Sequence, residues 1–415
     1  MCLAAFMALG VAPTLLIAAW CAARHLPGRA AAEAARLCTL LGTSVTLEDV
    51  EYPAPGVLRY RGLQVANPET LRPVLRCGVL DAAWDSQTTP TPMLGLTVSG
   101  LEVEAAEADE LGRLVGCVLQ SRGGQAEPNI RLSAGQVVLR FGAAEQSLGN
   151  VQGVVKTYPG DRVESWLAAS CGNAQDATPA RLRIVRSRQS SPPTYGFEID
   201  AREAALPCSL LALGLPEMRR LGTSSRFQGY LRASLLQEGW TGELAGRLTN
   251  VDLGGLMDQW SAHRLTGTAQ LTIDQARFRC GRWEQGVGQL EAGPGVVGRS
   301  LLAAATLRLG LTSGVRPAQV DPAPYERLCL RFCLDAQGLW LQGQSGVVLA
   351  DQTQCLLGDP QRQPQSAIAL LQALMPEGET PLAVNRQSVR MLEWLPVPEA
   401  VTATIGNGEQ TVSKQ

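Results

Sequence analysis

Histidine is almost missing: His25 and His263 are the two that occur, so the usual general bases and imidazole metal ligands are nearly excluded. Lysine is as rare, at Lys156 and Lys414, and the basic side chains are therefore almost all arginine. Aromatic residues amount to 5%. A net charge of -2 and a pI of about 5.9 exclude a polycation that binds nucleic acid without sequence preference. There is no Gly-x-Ser-x-Gly elbow, Walker loop, His-Glu-x-x-His helix or dinucleotide fingerprint. Gly293-Pro294-Gly295 and Gly406-Asn407-Gly408 read as turns. His263, beside Arg264 and without a local carboxylate or cysteine, reads as a turn or surface histidine. The expectation is a protein that is not an enzyme and needs no cofactor. Hydrolysis by carboxylates gathered in the fold has no residue in its favour. What is present, 415 residues of which 45% are hydrophobic, is enough for two or three domains with sizeable cores.

One long uncharged run stands at the start, from Met1 to Ala23. As a helix it would extend about 34 Å at roughly 1.5 Å per residue, against a bilayer core of about 30 Å. Pro13 is tolerated in such a helix, and Trp20 suits the interface. Residues 1–25 are predicted to be a transmembrane anchor rather than a cleaved signal peptide, because no basic leader precedes them and Ala22-Ala23 is a poor cleavage site. A lipoprotein site at Cys21 is disfavoured by bulky Trp20. Arg24, Arg29 and Arg36 follow the span and no basic residue precedes it. Taken literally, the positive-inside rule puts the body in the cytoplasm, whereas a start further upstream would leave the orientation open.

The 11 cysteines carry no staple or metal pattern. Cys2 and Cys21 fall in the predicted span. Cys38, Cys77, Cys117, Cys171, Cys208, Cys280, Cys329, Cys333 and Cys355 are scattered, and most read as small buried hydrophobes. Cys329 and Cys333 share one strand face, but no second pair completes a zinc site.

The body reads as strands with a few short helices. Pro27 to Leu41, ending at Gly42, predicts a helix with a glycine cap. Then the period becomes two: Val45 and Leu47, a turn at Pro53-Ala54-Pro55-Gly56, then Leu58 and Tyr60 before Gly62 shifts the register. Alternation recurs at Ile130 to Ala134, Val137 to Phe141, Tyr195 to Ile199, Phe227 to Leu235, Trp240 to Leu253 and Leu328 to Leu334. It is longest from Leu265 to Ile273. Helices are predicted at Ala106 to Gln120, Leu206 to Leu213, Gly254 to Trp260, Val296 to Leu309 and Ser366 to Leu374. Pro364 and Pro376 bracket the last of these, and Val389 to Leu395 is predicted to form another amphipathic helix that stops at Pro396-Val397-Pro398. The fold class is mainly β with short α-helices, a long meandering antiparallel sheet. The predicted divisions are 1–25, 26–125, 126–360 and 361–415: the anchor, the first hairpins with a helix, an extended sheet, and capping helices with a polar tail. Leu265, Leu271, Ile273, Leu328, Leu330 and Phe332 are the candidates for an apolar lining. Arg181, Arg183, Arg186 and Arg188 read as a basic row on one strand face, solvated or in contact with lipid phosphate through Arg181 and Arg183.

Leu40 to Leu47, followed by Gly56 to Tyr60 and by Gly62-Leu63-Gln64-Val65-Ala66-Asn67-Pro68, resembles the opening of AsmA-like envelope proteins. There an anchor and a short helix lead into a first hairpin. Gly229 to Ser234 and Trp240 to Leu256, with Asn250-Val251-Asp252-Leu253 stepping into a helix, resemble the later repeat of that family. The likeness runs from Met1 to about Leu311. It implies an inner-membrane anchor, a periplasmic body, and an open β-groove whose apolar inside holds phospholipid or other acyl chains, as in TamB-like and bridge-like lipid transfer proteins. It also implies a place in outer-membrane biogenesis with possible envelope-protein partners. The chain is short for a bridge across an envelope. The alternative of another class is a scaffolding envelope protein whose sheet packs on itself as a sandwich and recruits partners.

Overall fold

The computed structural model describes residues 28–85, 92–119, 129–142, 144–160, 162–171, 178–187, 191, 193–212, 216–257, 263–280, 282–313, 321–343, 347–350, 355–358 and 364–374. The predicted anchor and the segment Val389 to Leu395 lie outside them, as does Arg188. Among the described residues 62% are in strands, and no helix is long and apolar enough to cross a membrane. The chain divides into two compact units, Met1–Gln175 and Asp176–Gln415.

In the first unit, helix α1 (Arg29–Leu41) ends where expected: Gly42 takes φ 65° and its N–H donates to the Cys38 carbonyl at 2.8 Å. Strands β1 (Ser44–Thr46) and β2 (Asp49–Ala54) both pair with β3 (Val57–Ala66). β4 (Pro73–Asp85) and β5 (Met93–Glu104) continue the meander. The next pairing departs from the expected antiparallel order. Helix α2 (Ala108–Leu119) carries the chain over, and β6 (Asn129–Phe141) lies parallel to β5. A parallel pair needs a crossover of about a dozen residues or more, which the helix supplies. β7 (Ala144–Tyr158) and β8 (Arg162–Cys171) return to antiparallel pairing.

One apolar face is kept across this sheet by a common irregularity. Tyr60, Leu80, Val98, Ala134 and Val151 form one cross-strand row, and Leu63, Cys77, Leu101, Val137 and Leu148 form the next. Each strand from β3 to β7 therefore steps three residues between rows, where a regular pleat steps two. Alternate strands make the step with a left-handed residue, Gly62 (φ 57°), Gly100 (φ 64°) and Asn150 (φ 48°). At Gly62 the left-handed backbone is what favours glycine, while the Glu48 carboxyl group that a Cβ would meet is the mobile end of an exposed side chain.

A buried polar clasp fixes α2 to the start of the sheet. The Thr43 hydroxyl donates to the Ala66 carbonyl at 2.7 Å and is shared with Glu110 Oε1 at 3.2 Å. Arg113 Nε donates to Glu110 Oε2 at 2.8 Å, and its Nη1 donates to the Leu41 carbonyl at 3.3 Å. The Arg113 guanidinium holds the Glu110 carboxyl below the usual carboxylate range, with the Thr43 hydroxyl adding to it.

The second unit is built on a sheet ordered β9 (Ala180–Ser187), β10 (Thr194–Asp200), β12 (Arg226–Leu236), β13 (Gly239–Asp252), β14 (Thr268–Arg279), β15 (Arg282–Ala292) and β19 (Arg327–Asp335), antiparallel throughout. The two-residue β11 (Leu206–Pro207) pairs with the start of β12, and β20 (Gly338–Gly343) borders β19. Beyond them, β21 (Val347–Ala350) also pairs with β19, β22 (Cys355–Gly358) pairs with β21, and β17 (Thr312–Ser313) pairs with β22. β16 (Gly295–Val297) and β18 (Ala323–Tyr325) make a separate two-stranded ladder. The helices are α3 (Cys208–Leu211), α4 (Leu253–Met257), α5 (Arg299–Leu309) and α6 (Ala367–Leu374).

Three expectations change here. The segment from Val296 begins as strand β16, and its helix starts only after Gly298. The helix predicted from Leu206 is preceded by β11 and reduced to one turn. The alternation from Leu265 does not begin a strand: Gly267 takes φ 134°, and β14 starts at Thr268. A Cβ on Gly267 would strike the Tyr325 hydroxyl, which donates to the Thr266 carbonyl at 2.7 Å, so the chain is bent around a buried tyrosine.

Candidate functional site

The second-unit sheet presents one face that carries three apolar cross-strand rows. Register aligns Phe227, Leu248, Leu271, Leu290 and Leu330 in one cross-strand row. The next row carries Gly246, Ile273, Gly288, Phe332 and Leu341. A third runs from Leu182 through Ile199, Leu231, Leu244, Ala276, Gly286 and Leu334 to Leu339. Phe227, Leu248, Leu339 and Leu341 are buried, whereas Leu271, Ile273, Leu290, Leu330 and Phe332 are only half-buried. Within the second unit, no described sheet stacks on β12 to β15.

Aromatic rings lie flat along this face. A Cβ on Gly288 would come within 2.9 Å of Phe332 Cζ, one on Gly242 within 2.7 Å of Phe278 Cζ, and one on Gly229 within 2.8 Å of Phe227 Cζ. The glycines therefore make room for phenylalanines that fold down onto the sheet, and the face is smooth rather than ridged. At the hairpin ends Phe197 meets Trp240 at 5.4 Å between ring centres, and Phe278 meets Trp283 at 6.0 Å.

Of the six lining candidates, Leu271, Ile273, Leu330 and Phe332 share this surface, and Leu328 joins it through Ala292 and Ala269 but is buried. Leu265 stands apart, bridged to Val297 outside the sheet. The sequence reading missed Leu290 and Leu248, which sit beside Leu271 in the same row. Their alternation within Glu284 to Ala292 and Trp240 to Leu253 was the available signal.

The opposite face is polar. Arg181 stands opposite Asp200 and Arg183 opposite Glu198, with Arg183 Nη1 and Glu198 Oε2 3.4 Å apart. The two phosphate-contact candidates thus lie behind the apolar surface and against carboxylates. Arg186 breaks the expected basic row: it has the parity of Leu182 and Ile184, is buried, and lies over the Tyr195 ring at 5.8 Å. On the polar side a depression of about 430 Å³ is lined by Thr249, Asn250, Thr268, Gln270, Glu291, Glu326 and Arg327, among others.

His263 is not a surface residue. It is 4% exposed, and its Nδ1 lies 2.8 Å from Ser300 Oγ. The Arg264 carbonyl accepts from the Gly298 N–H at 2.7 Å, which folds this stretch under the first turn of α5. Among the described residues no three histidine, cysteine, aspartate or glutamate side chains gather as metal ligands. Cys38, Cys77, Cys117, Cys171, Cys208, Cys280, Cys329 and Cys333 are unbridged. Cys77, Cys208 and Cys329 are buried and Cys280 is exposed. No family model matches the chain, and no curated protein matches it.

Proposed function

We propose that this chain is a non-catalytic, membrane-anchored, AsmA-like envelope protein that holds phospholipid acyl chains on the apolar face of its second unit. The observation that carries the reading is the half-buried aliphatic surface around Leu271, Leu290, Leu330 and Phe332 on a single sheet layer. A self-packed sandwich would bury such rows against a second sheet. Acyl chains have the flat, uncharged complementarity that this face offers, at about 25 cal/mol for each Å² of apolar surface withdrawn from water. The anchor at residues 1–25, the periplasmic location of the body and a role in outer-membrane biogenesis follow from the AsmA-like reading of the sequence.

Native mass spectrometry and lipid extraction on the purified full chain test this. Phospholipid near one or more molecules per chain is expected, and it should be lost when Leu271→Asp and Leu330→Asp are combined in protein whose circular dichroism is unchanged. Folded wild-type protein that never carries lipid would sink the reading and favour a scaffold.

A further inference from the structure

Along the strands, the apolar face is closed at one end and open at the other. Past the row of Phe227 and Leu248 comes a row of Val251, Ala269, Ala292 and Leu328, all buried. Past the row of Leu182 and Leu339 the face changes character. A fourth row carries Phe197, Phe278 and Trp283, and a fifth carries Arg186, Tyr195 and Trp240. Aromatic residues amount to 5% of the chain, yet five of them gather in these two rows. Trp240 is 40% exposed, and Leu236, at the β12–β13 turn beside it, is exposed as well. The Gln237 amide donates to the Ser191 carbonyl at 2.6 Å, which ties this turn to the β9–β10 connection.

We propose that this open end of the second-unit sheet seats at the surface of a zwitterionic phospholipid bilayer, and that lipid enters and leaves the apolar face there. Tryptophan and tyrosine turn an apolar ring toward hydrocarbon and a polar N–H or O–H toward water, the balance that places them at membrane–water boundaries. The neighbouring charge fits the same partner. At the β12–β13 and β14–β15 turns the exposed Arg279 and Arg282 are matched by the exposed Glu238 and Glu284, and Arg279 Nε lies 3.0 Å from Glu284 Oε1. A rim so balanced gains little from an anionic surface, so its seating depends on the rings. Position supplies the rest. An acyl chain that leaves a bilayer at this rim passes from Trp240 and Trp283 onto the leucine rows without crossing water, whereas the far end of the face is shut by Val251 and Leu328. The inference rests on the lipid reading of the face and adds where lipid is exchanged and with what kind of surface.

Photocrosslinking from Leu236→p-benzoylphenylalanine in the full chain, reconstituted in phosphatidylcholine vesicles, tests it. Leu236 has the opposite parity to Leu235 and does not face the rows, so an adduct there reports a bilayer rather than lipid already held. Phospholipid adducts on the peptide with position 236 are expected, severalfold above those from Leu307→p-benzoylphenylalanine, a site on α5 that is 75% exposed. No adduct at 236, equal adducts at both positions, or products with a second copy of the chain overturn the proposal. Trp240→Ser, in protein whose circular dichroism is unchanged, should lower the yield at 236 severalfold, and an unchanged yield also overturns it. Phospholipid that copurifies with a chain in which position 236 never labels discards the proposal and keeps the lipid reading. Adducts at 236 in a chain that copurifies without lipid keep the bilayer contact and discard the lipid reading.

Discussion

Gly288 and Gly286 are two residues apart on β15, both in ordinary extended backbone, and they should respond to alanine with opposite signs. A Cβ at Gly288 would meet the Thr272 carbonyl oxygen, Phe332 Cζ at 2.9 Å and Ile273 Cα at 3.2 Å, whereas at Gly286 it would find nothing within 4 Å. Overpacking against neighbours that cannot move costs about 1–3 kcal/mol, and here two of the three are main-chain atoms. Removing glycine freedom from the unfolded chain returns about 0.4–1 kcal/mol at either site. Gly288→Ala should therefore lose about 1–2 kcal/mol net and Gly286→Ala should gain a few tenths to about 1. For a unit of this size about 2–4 °C accompanies each kcal/mol, so calorimetry on the full chain should show the second unit's transition falling by about 2–8 °C in the first variant and holding or rising in the second. Adding Phe332→Leu to Gly288→Ala should restore part of the loss, leaving the share due to the Thr272 carbonyl. Equal melting of both variants would refute the argument that ring and carbonyl positions on this face exclude a methyl group.

Glu110→Gln should destabilise the first unit by about 1–3 kcal/mol at neutral pH, since it removes the charge that Arg113 and Thr43 bind. Because the folded Glu110 carboxyl is held below its unfolded value, that stabilisation is fully present above the ordinary glutamate range near about 4.3 and fades as pH falls through the folded value. Urea unfolding of both proteins at pH 7 and 3.5 should show the difference shrinking in acid, and a constant difference would count against the clasp. Cys77 is 3% exposed and burial pushes its thiol up to about 11, while Cys280 is exposed. Peptide mapping after brief maleimide treatment at pH 7.5 should find Cys280 labelled and Cys77 untouched until denaturant is added, and equal labelling rates would contradict this. Arg183→Ala should cost under about 1 kcal/mol, as half-exposed ion pairs do, and leave lipid content unchanged. Lipid loss in that variant would show that the polar face takes part in holding it.

The strands were legible because their side chains alternate. Phe227 to Leu235 and Leu328 to Leu334 fall within β12 and β19, whereas the register shift expected at Gly62 does not occur: Arg61 pairs with Val79 and Leu63 with Cys77 in one unbroken register, and the glycine changes only which face its neighbours take. What alternation does not encode is direction and end point. Leu94 to Val103 and Ile130 to Leu139 have the same period whichever way they run, and only the helix between them makes a parallel pairing possible. Leu265 kept the beat of β14 while lying outside it, because the bend at Gly267 is imposed by Tyr325, nearly sixty positions away in sequence. Burial of His263 likewise depends on a distant partner, Ser300. Arg186 is different: its even offset from Leu182 and Ile184 was countable. For the apolar surface, two of its best-placed residues, Leu271 and Leu330, could be named from pattern alone, but their alignment through Leu290 depends on register across three strands.

The three-residue steps in β3 to β7 behave together like a dislocation line in a crystal, which cannot stop inside the lattice. On one side the line passes between β1 and β2, where Val45 and Val50 are both buried although an odd number of positions apart. On the other it is absorbed at β8, where Asn150 and Val151 stand against Ala169 alone. A one-residue deletion in any single strand would cut this line and create two new ends, each turning part of the apolar face outward. Length changes near Gly62, Gly100 or Asn150 are therefore tolerable only when neighbouring strands change in concert, which makes five separate stretches of chain inherit as one unit.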